Sequence, residues 1–99
     1  GENRNYIKAI SMVEKSLLFD QSANRYIALA KLYQRILNRG KTISALEKAA
    51  ELEPNKRTYE MLVEAYKASG ERDKLQLAYR RILELDPTDP VARRFAAAS

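Results

Sequence analysis

Ninety-nine residues, 45% of them apolar and 31% charged, suffice for one small domain; a chain of this size buries only about 60 to 70% of its unfolded surface. Having no Cys and no His, it offers no disulfide, no zinc site of the usual Cys/His kind, no thiol nucleophile and no imidazole base. The formal charge of +5 is uneven: the excess falls on residues 21–55 and 90–99, and between Asp20 and Glu47 the charged residues are Arg25, Lys31, Arg35, Arg39 and Lys41, without an acid among them.

No stretch approaches the ~18 consecutive apolar residues of a membrane span. The opening residues also lack the basic-then-apolar layout of a secretory signal, so the expectation is a soluble chain with no membrane insertion. The chain begins with Gly1 rather than Met, which reads as a segment of a longer one.

Ile10, Val13 and Leu17 lie at helical spacing and predict a first helix from about Asn5 to Phe19. Ser22 stands where an N-cap belongs, before the stripe Tyr26, Leu29, Ala30, Tyr33 and Leu37 of a second helix, for which Gly40 is the expected stop. A third helix follows through Ile43, Leu46, Ala49, Ala50 and Leu52, and Pro54 forbids its continuation because the ring lacks an amide proton and clashes with the preceding turn. Asn55 caps a fourth helix carrying Tyr59, Leu62, Val63 and Tyr66, ended by a left-handed Gly70. Leu75, Ala78, Tyr79, Ile82 and Leu85 make the fifth, which Pro87 stops. Asp89 and Pro90 then supply the N-cap and first turn of a sixth that runs through Phe95.

These elements repeat. Tyr26, Leu29, Tyr33, Ala45, Leu52 and Pro54 return at a constant offset as Tyr59, Leu62, Tyr66, Ala78, Leu85 and Pro87. The same offset carried backwards takes Ile43, Leu46, Lys48, Leu52 and Glu53 to Ile10, Val13, Lys15, Phe19 and Asp20. Residues 5–21 are therefore the second helix of a partial repeat, 22–54 and 55–87 are complete repeats, and 89–99 are the first helix of another. A helical period of about 33 to 34 residues belongs to stacked repeat proteins, in which no unit buries its apolar face alone. The chain reads as a piece of a longer array, or as a short array using its terminal helices as caps; its exposed end repeats would permit self-association.

The repeated residues resemble the tetratricopeptide repeat. Tyr26 and Tyr59 fill its leading aromatic slot, Leu29-Ala30 and Leu62-Val63 its Leu-small pair, and Tyr33 and Tyr66 its next aromatic. The second helices supply Ala45, Leu46 and Ala49, then Ala78, Tyr79 and Ile82, and close on Leu52-Glu53-Pro54 and Leu85-Asp86-Pro87. The resemblance implies an all-α fold, a right-handed superhelical stack of antiparallel helix pairs. Three departures stand out. Pro54 to Tyr59 is one residue shorter than the commonest spacing, and Gln21 replaces a proline in the first, partial unit. Gly40 lies beyond Leu37, the position equivalent to Gly70, so the second helix is expected to run nearly a turn longer than the fourth.

In that family the first helix of each unit lines a concave groove. Carried over by position, the groove face is Asn24, Ile27, Lys31, Gln34 and Arg35 in one unit and Arg57, Glu60, Glu64 and Lys67 in the next. Lys31 and Arg35 are one turn apart, and Arg suits bidentate contact with a carboxylate; Glu64 is placed to pair with Lys31. A subgroup of the family grips a terminal carboxylate with Lys and Asn on successive first helices, and Ile27, Ala28 and Glu60 depart from that pattern. The partner implied is another protein or peptide meeting an apolar contact flanked by charge.

Chemistry finds no seat. The serines have no histidine to activate them, Gly1, Gly40 and Gly70 form no phosphate-cradling loop, and Glu60 and Glu64 read as a solvated pair. No catalytic residue, metal ligand set or cofactor is expected, and the chain is read as a non-enzymatic binding scaffold. The six tyrosines fall at repeat slots and read as core, not as a stacking platform for RNA. The alternatives are an RNA-binding helical repeat, favoured by the basic run and opposed by the neutral unit at 56–89, and the accessory domain of an enzyme whose catalytic part lies elsewhere.

Overall fold

Among the residues that the computed structural model describes, 2–96, there are six helices and no strand. Gly1 and the closing residues 97–99 of the sixth segment lie outside the described residues. The helices are α1 (Glu2–Leu17), α2 (Ala23–Arg35), α3 (Arg39–Leu52), α4 (Lys56–Ser69), α5 (Arg72–Leu85) and α6 (Pro90–Ala96). They gather into two compact units, Gly1–Glu53 and Pro54–Ser99. In the first, α2 packs against α1 and α3; in the second, α5 packs against α4 and α6. The short connections within each unit make successive helices antiparallel neighbours.

Helices of 14 residues are marginal in water on their own, so burial of the stripes sustains them. In the first unit the buried apolar set is Ile10 and Leu17 from α1, Ala23, Leu29, Ala30 and Tyr33 from α2, and Ile43, Ala45, Leu46, Ala49 and Ala50 from α3. Ala30 and Ala49 are essentially inaccessible, and their small size lets α2 and α3 approach closely. The second unit buries Leu62, Val63 and Tyr66 of α4, Ala78, Tyr79 and Ile82 of α5, and Ala92 and Ala96 of α6. Each large side chain so removed from water contributes about 1.5 to 3 kcal/mol before ordering costs.

Helix starts follow the capping chemistry. The Ser22 hydroxyl accepts from the Arg25 amide at 3.2 Å, the Asn55 side-chain Oδ1 from the Arg57 amide at 2.8 Å, and the Asp89 carboxylate from the Ala92 amide at 2.9 Å. α3 is capped by Asn38, whose side chain accepts from the Lys41 amide at 3.2 Å.

The α2–α3 turn corrects the sequence expectation. Gly40 does not stop α2: it lies in the first turn of α3, and α2 ends at Arg35, one residue shorter than α4 and not a turn longer. Leu37 takes the left-handed position, with φ +60°, that Gly70 takes with φ +72°. The closures match residue for residue. Leu37 N–H donates to Gln34 O and Asn38 N–H to Tyr33 O, as Gly70 N–H donates to Lys67 O and Glu71 N–H to Tyr66 O. Both are Schellman turns. The repeat geometry overrides local preference, since moving the stop to Gly40 would break the phase of α3 against α2.

Several stripe ends also differ from expectation. α1 stops at Leu17, leaving Phe19 exposed in the following turn, and Leu37 is exposed as well. Leu52, Leu85 and Phe95 are partly exposed, because each sits near a helix end. Of the tyrosines, Tyr33, Tyr66 and Tyr79 are buried, whereas Tyr6, Tyr26 and Tyr59 are half-buried.

Candidate functional site

The face of α2 that the repeat slots leave outside the core carries Asn24, Ile27, Lys31, Gln34 and Arg35. Ile27 is half-buried and the other four are exposed, so an apolar side chain sits among polar heads at i, i+4 and i+8 spacing from Ile27 to Arg35.

Packing sorts the basic run of the first unit into engaged and unengaged cations. Arg25 pairs with Asp20 at 3.3 Å and also donates to Ser16 O, fastening the start of α2 to the α1 turn. Lys41 lies over the Tyr33 ring, 5.5 Å from its centre, and Arg39 is likewise engaged. Lys31 and Arg35 have no ion pair among the described residues. Two like charges one turn apart cost a helix about 0.2 to 0.5 kcal/mol, and an anion held between them would relieve that cost.

On α4 the corresponding face holds Arg57, Glu60, Glu64 and Lys67, all exposed. Glu64 pairs with Lys67 on its own helix at 3.5 Å, a surface pair of small energetic worth. The sequence expectation gave Glu64 to Lys31, but a partner one turn away on the same helix meets it without long-range positioning. Lys67 also lies over the Phe95 ring, 6.0 Å from its centre, and that ring stacks on Tyr79 with centres 5.7 Å apart. Lys67 is thus drawn toward the aromatic cluster of its own unit, a link that only the folding of α6 onto α5 creates.

Three polar contacts escape sequence reading altogether. The Tyr33 hydroxyl donates to Glu14 at 2.7 Å; burial foremost, then that hydrogen bond and the Glu14 charge, push its pKa up to about 12. The Lys56 ammonium meets Asp86 at 2.7 Å and Asp89 at 2.8 Å, tying the start of α4 to the turn before α6. Spacings of 19 and 30 residues carry no local signal. Among the described residues no cluster of acidic side chains could hold a metal ion, and no helix is long and apolar enough to cross a membrane.

No protein-family model matches the chain, and no curated protein sequence matches it. Solved structures do. Two crystal structures of MamA match with TM-scores of 0.75 and 0.74 at 26% identity, each over 94% of this chain. The chain spans about half the length of those two proteins, 56% and 52%. A structure of the first TPR of Spaghetti (RPAP3), bound to the HSP90 peptide SRMEEVD, matches with a TM-score of 0.69 at 21% identity, over 98% of this chain and 80% of that one. The fold is of the tetratricopeptide-repeat type: an all-α helical repeat.

Proposed function

We propose that this chain is a non-catalytic protein-interaction module that holds an acid-rich peptide or helix of a partner against the outward face of α2. The observation that carries the reading is the state of α2. Of the five cations in the basic run, Lys31 and Arg35 are the two left without partners among the described residues, one turn apart and in line with the half-buried Ile27. Lys31 and Arg35 bind carboxylates, Ile27, one turn before Lys31, receives an apolar side chain beside them, and Asn24 and Gln34 meet the partner's backbone. The likeness to a TPR module solved with the HSP90 peptide SRMEEVD supports a peptide ligand.

Selection from a random-peptide display library tests it. The expected winners are rich in Asp and Glu with an apolar residue among them. They lose binding to a Lys31→Glu/Arg35→Glu variant of unchanged helicity and keep it with Arg4→Glu/Lys8→Glu, a control on α1. Winners without acidic enrichment, or equal binding by both variants, would contradict the assignment.

A further inference from the structure

The outward face of α1 differs in chemistry from the faces that repeat it on α3 and α5. Arg4, Lys8, Ser11 and Lys15 are exposed and share that face at helical spacing, with Ile7 beside them and Leu18 in the turn that follows. The repeat offset places Lys41, Ser44 and Lys48 on α3, and Lys74, Leu77 and Arg81 on α5, in the slots of Lys8, Ser11 and Lys15. On α5, which has α4 packed before it and α6 after it, all three remain exposed, as do Asp73 and Glu84 in the slots of Ile7 and Leu18. The face therefore points outward whether or not further helices flank α1. On the inner helices its cations are engaged: Lys48 pairs with Glu51 at 3.9 Å, Arg81 with Glu84 at 3.0 Å and Lys74 with Glu71 at 3.3 Å, while Lys41 lies over the Tyr33 ring. On α1 the acids are gone, for Asn5 stands in the slot of Glu71, Ile7 in that of Asp73, and Leu18 in that of Glu51 and Glu84. Arg4, Lys8 and Lys15 have no ion pair among the described residues, and the acids that flank Lys15, Glu14 and Asp20, are engaged by the Tyr33 hydroxyl and by Arg25. Ile7, Leu18 and Phe19 are 57%, 80% and 90% exposed, so bulky apolar side chains stand in water beside three unbalanced cations.

We propose that this face is a contact for an anionic lipid bilayer: Arg4, Lys8 and Lys15 meet the headgroups, and Ile7, Leu18 and Phe19 enter the boundary between headgroups and acyl chains. RNA would satisfy the cations but give the neighbouring Leu18 and Phe19 no apolar medium, and a protein partner would have to match each side chain in register. A bilayer offers an anionic layer over an apolar one along the whole length of the helix, and the long stems of Lys and Arg let their charges stay at the headgroups while the apolar side chains go deeper. The contact is peripheral, since among the described residues no helix is long and apolar enough to cross the membrane. Salt screens the attraction of the cations but leaves the apolar burial in place. The surface lies on a different helix from the peptide-binding face of α2.

Co-sedimentation with vesicles of phosphatidylcholine alone, and of phosphatidylcholine mixed with phosphatidylserine, tests the proposal. The chain should bind the mixed vesicles, ignore the neutral ones, and lose affinity as salt rises. Lys8→Glu/Lys15→Glu, at unchanged helicity, should abolish binding, whereas Lys31→Glu/Arg35→Glu, which changes the net charge equally but lies on α2, should keep it. Leu18→Ser/Phe19→Ser, which leaves the charge alone, should weaken binding by about tenfold or more. Equal loss in the two charge variants would show a response to net charge only and overturn the proposal, as would undiminished binding by Leu18→Ser/Phe19→Ser. A chain that ignores the mixed vesicles would overturn it too; if soluble polyglutamate were then bound, and released by Lys8→Glu/Lys15→Glu, the face would belong to an acidic protein instead.

Discussion

Lys56 is exposed enough that neither of its ion pairs would attract notice singly, yet it answers two carboxylates at once. The ammonium, first through its hydrogen bond, holds Asp86 and Asp89 below the ordinary value of 3.8, helped by Thr88 at the one and the Ala92 amide at the other. A carboxylate whose folded pKa is depressed contributes stability that is present above its unfolded pKa and is lost as pH falls through the folded one. Urea midpoints measured from pH 7 down to pH 2 should therefore fall less steeply below about pH 4 in Lys56→Met than in the parent; parallel curves would contradict the clip. Burial separates two other residues. Leu62→Ala should cost about 2 to 5 kcal/mol because the side chain is enclosed, whereas Lys31→Ala, on the open face of α2, should stay within about ±0.5 kcal/mol. Equal losses in denaturant melts would mean that the faces have been assigned wrongly.

Among the elements, the α2–α3 turn shows what a sequence conceals. Ser22, Asn55 and Asp89 declare their helix starts because short polar side chains ahead of an apolar stripe have one obvious use, and the structure puts each to it. Leu37 declares nothing: the usual sign of a left-handed turn is glycine, and the nearby Gly40 draws the stop to itself. Only the tertiary phase of α3 against α2 places the turn at Leu37, where an L-residue with positive φ costs about 1 to 2 kcal/mol. Substitutions at Leu37, Gly40 and Gly70 should differ in sign accordingly. Leu37→Gly should stabilise by about 0.5 to 1 kcal/mol, the relief being partly offset by the freedom glycine gives the unfolded chain. Gly40→Ala should also stabilise, by about 0.5 to 1 kcal/mol, since Gly40 is inside α3 and an added Cβ meets nothing closer than Asn38 Oδ1 at 4.0 Å. Gly70→Ala, at φ +72°, should destabilise. If thermal melts instead showed Gly40→Ala destabilising as Gly70→Ala does, Gly40 would be the stop after all. The candidate site was legible to the same degree: spacing put Lys31 and Arg35 on one face. That Arg25, Arg39 and Lys41 are engaged elsewhere depends on Asp20, Tyr33 and other groups that packing brings to them.

For the whole molecule, the excess of positive charge must be reconciled with a protein ligand. Nucleic-acid binding through scattered Lys and Arg is non-specific, so affinity for unstructured RNA at low salt should be weak and collapse as salt rises, in filter-binding or anisotropy titrations. Sequence-selective, sub-micromolar RNA binding at physiological salt would make the RNA reading the better one. The central claim, that the unengaged cations of α2 and the adjoining Ile27 receive a partner peptide, is tested most directly by backbone amide shift mapping of the chain during titration with an acid-rich peptide from the library selection. The account predicts that the largest saturable shifts cluster at Asn24, Ile27, Lys31, Gln34 and Arg35. Shifts confined to α3, α5 or the end helices, with those five residues still, would contradict it.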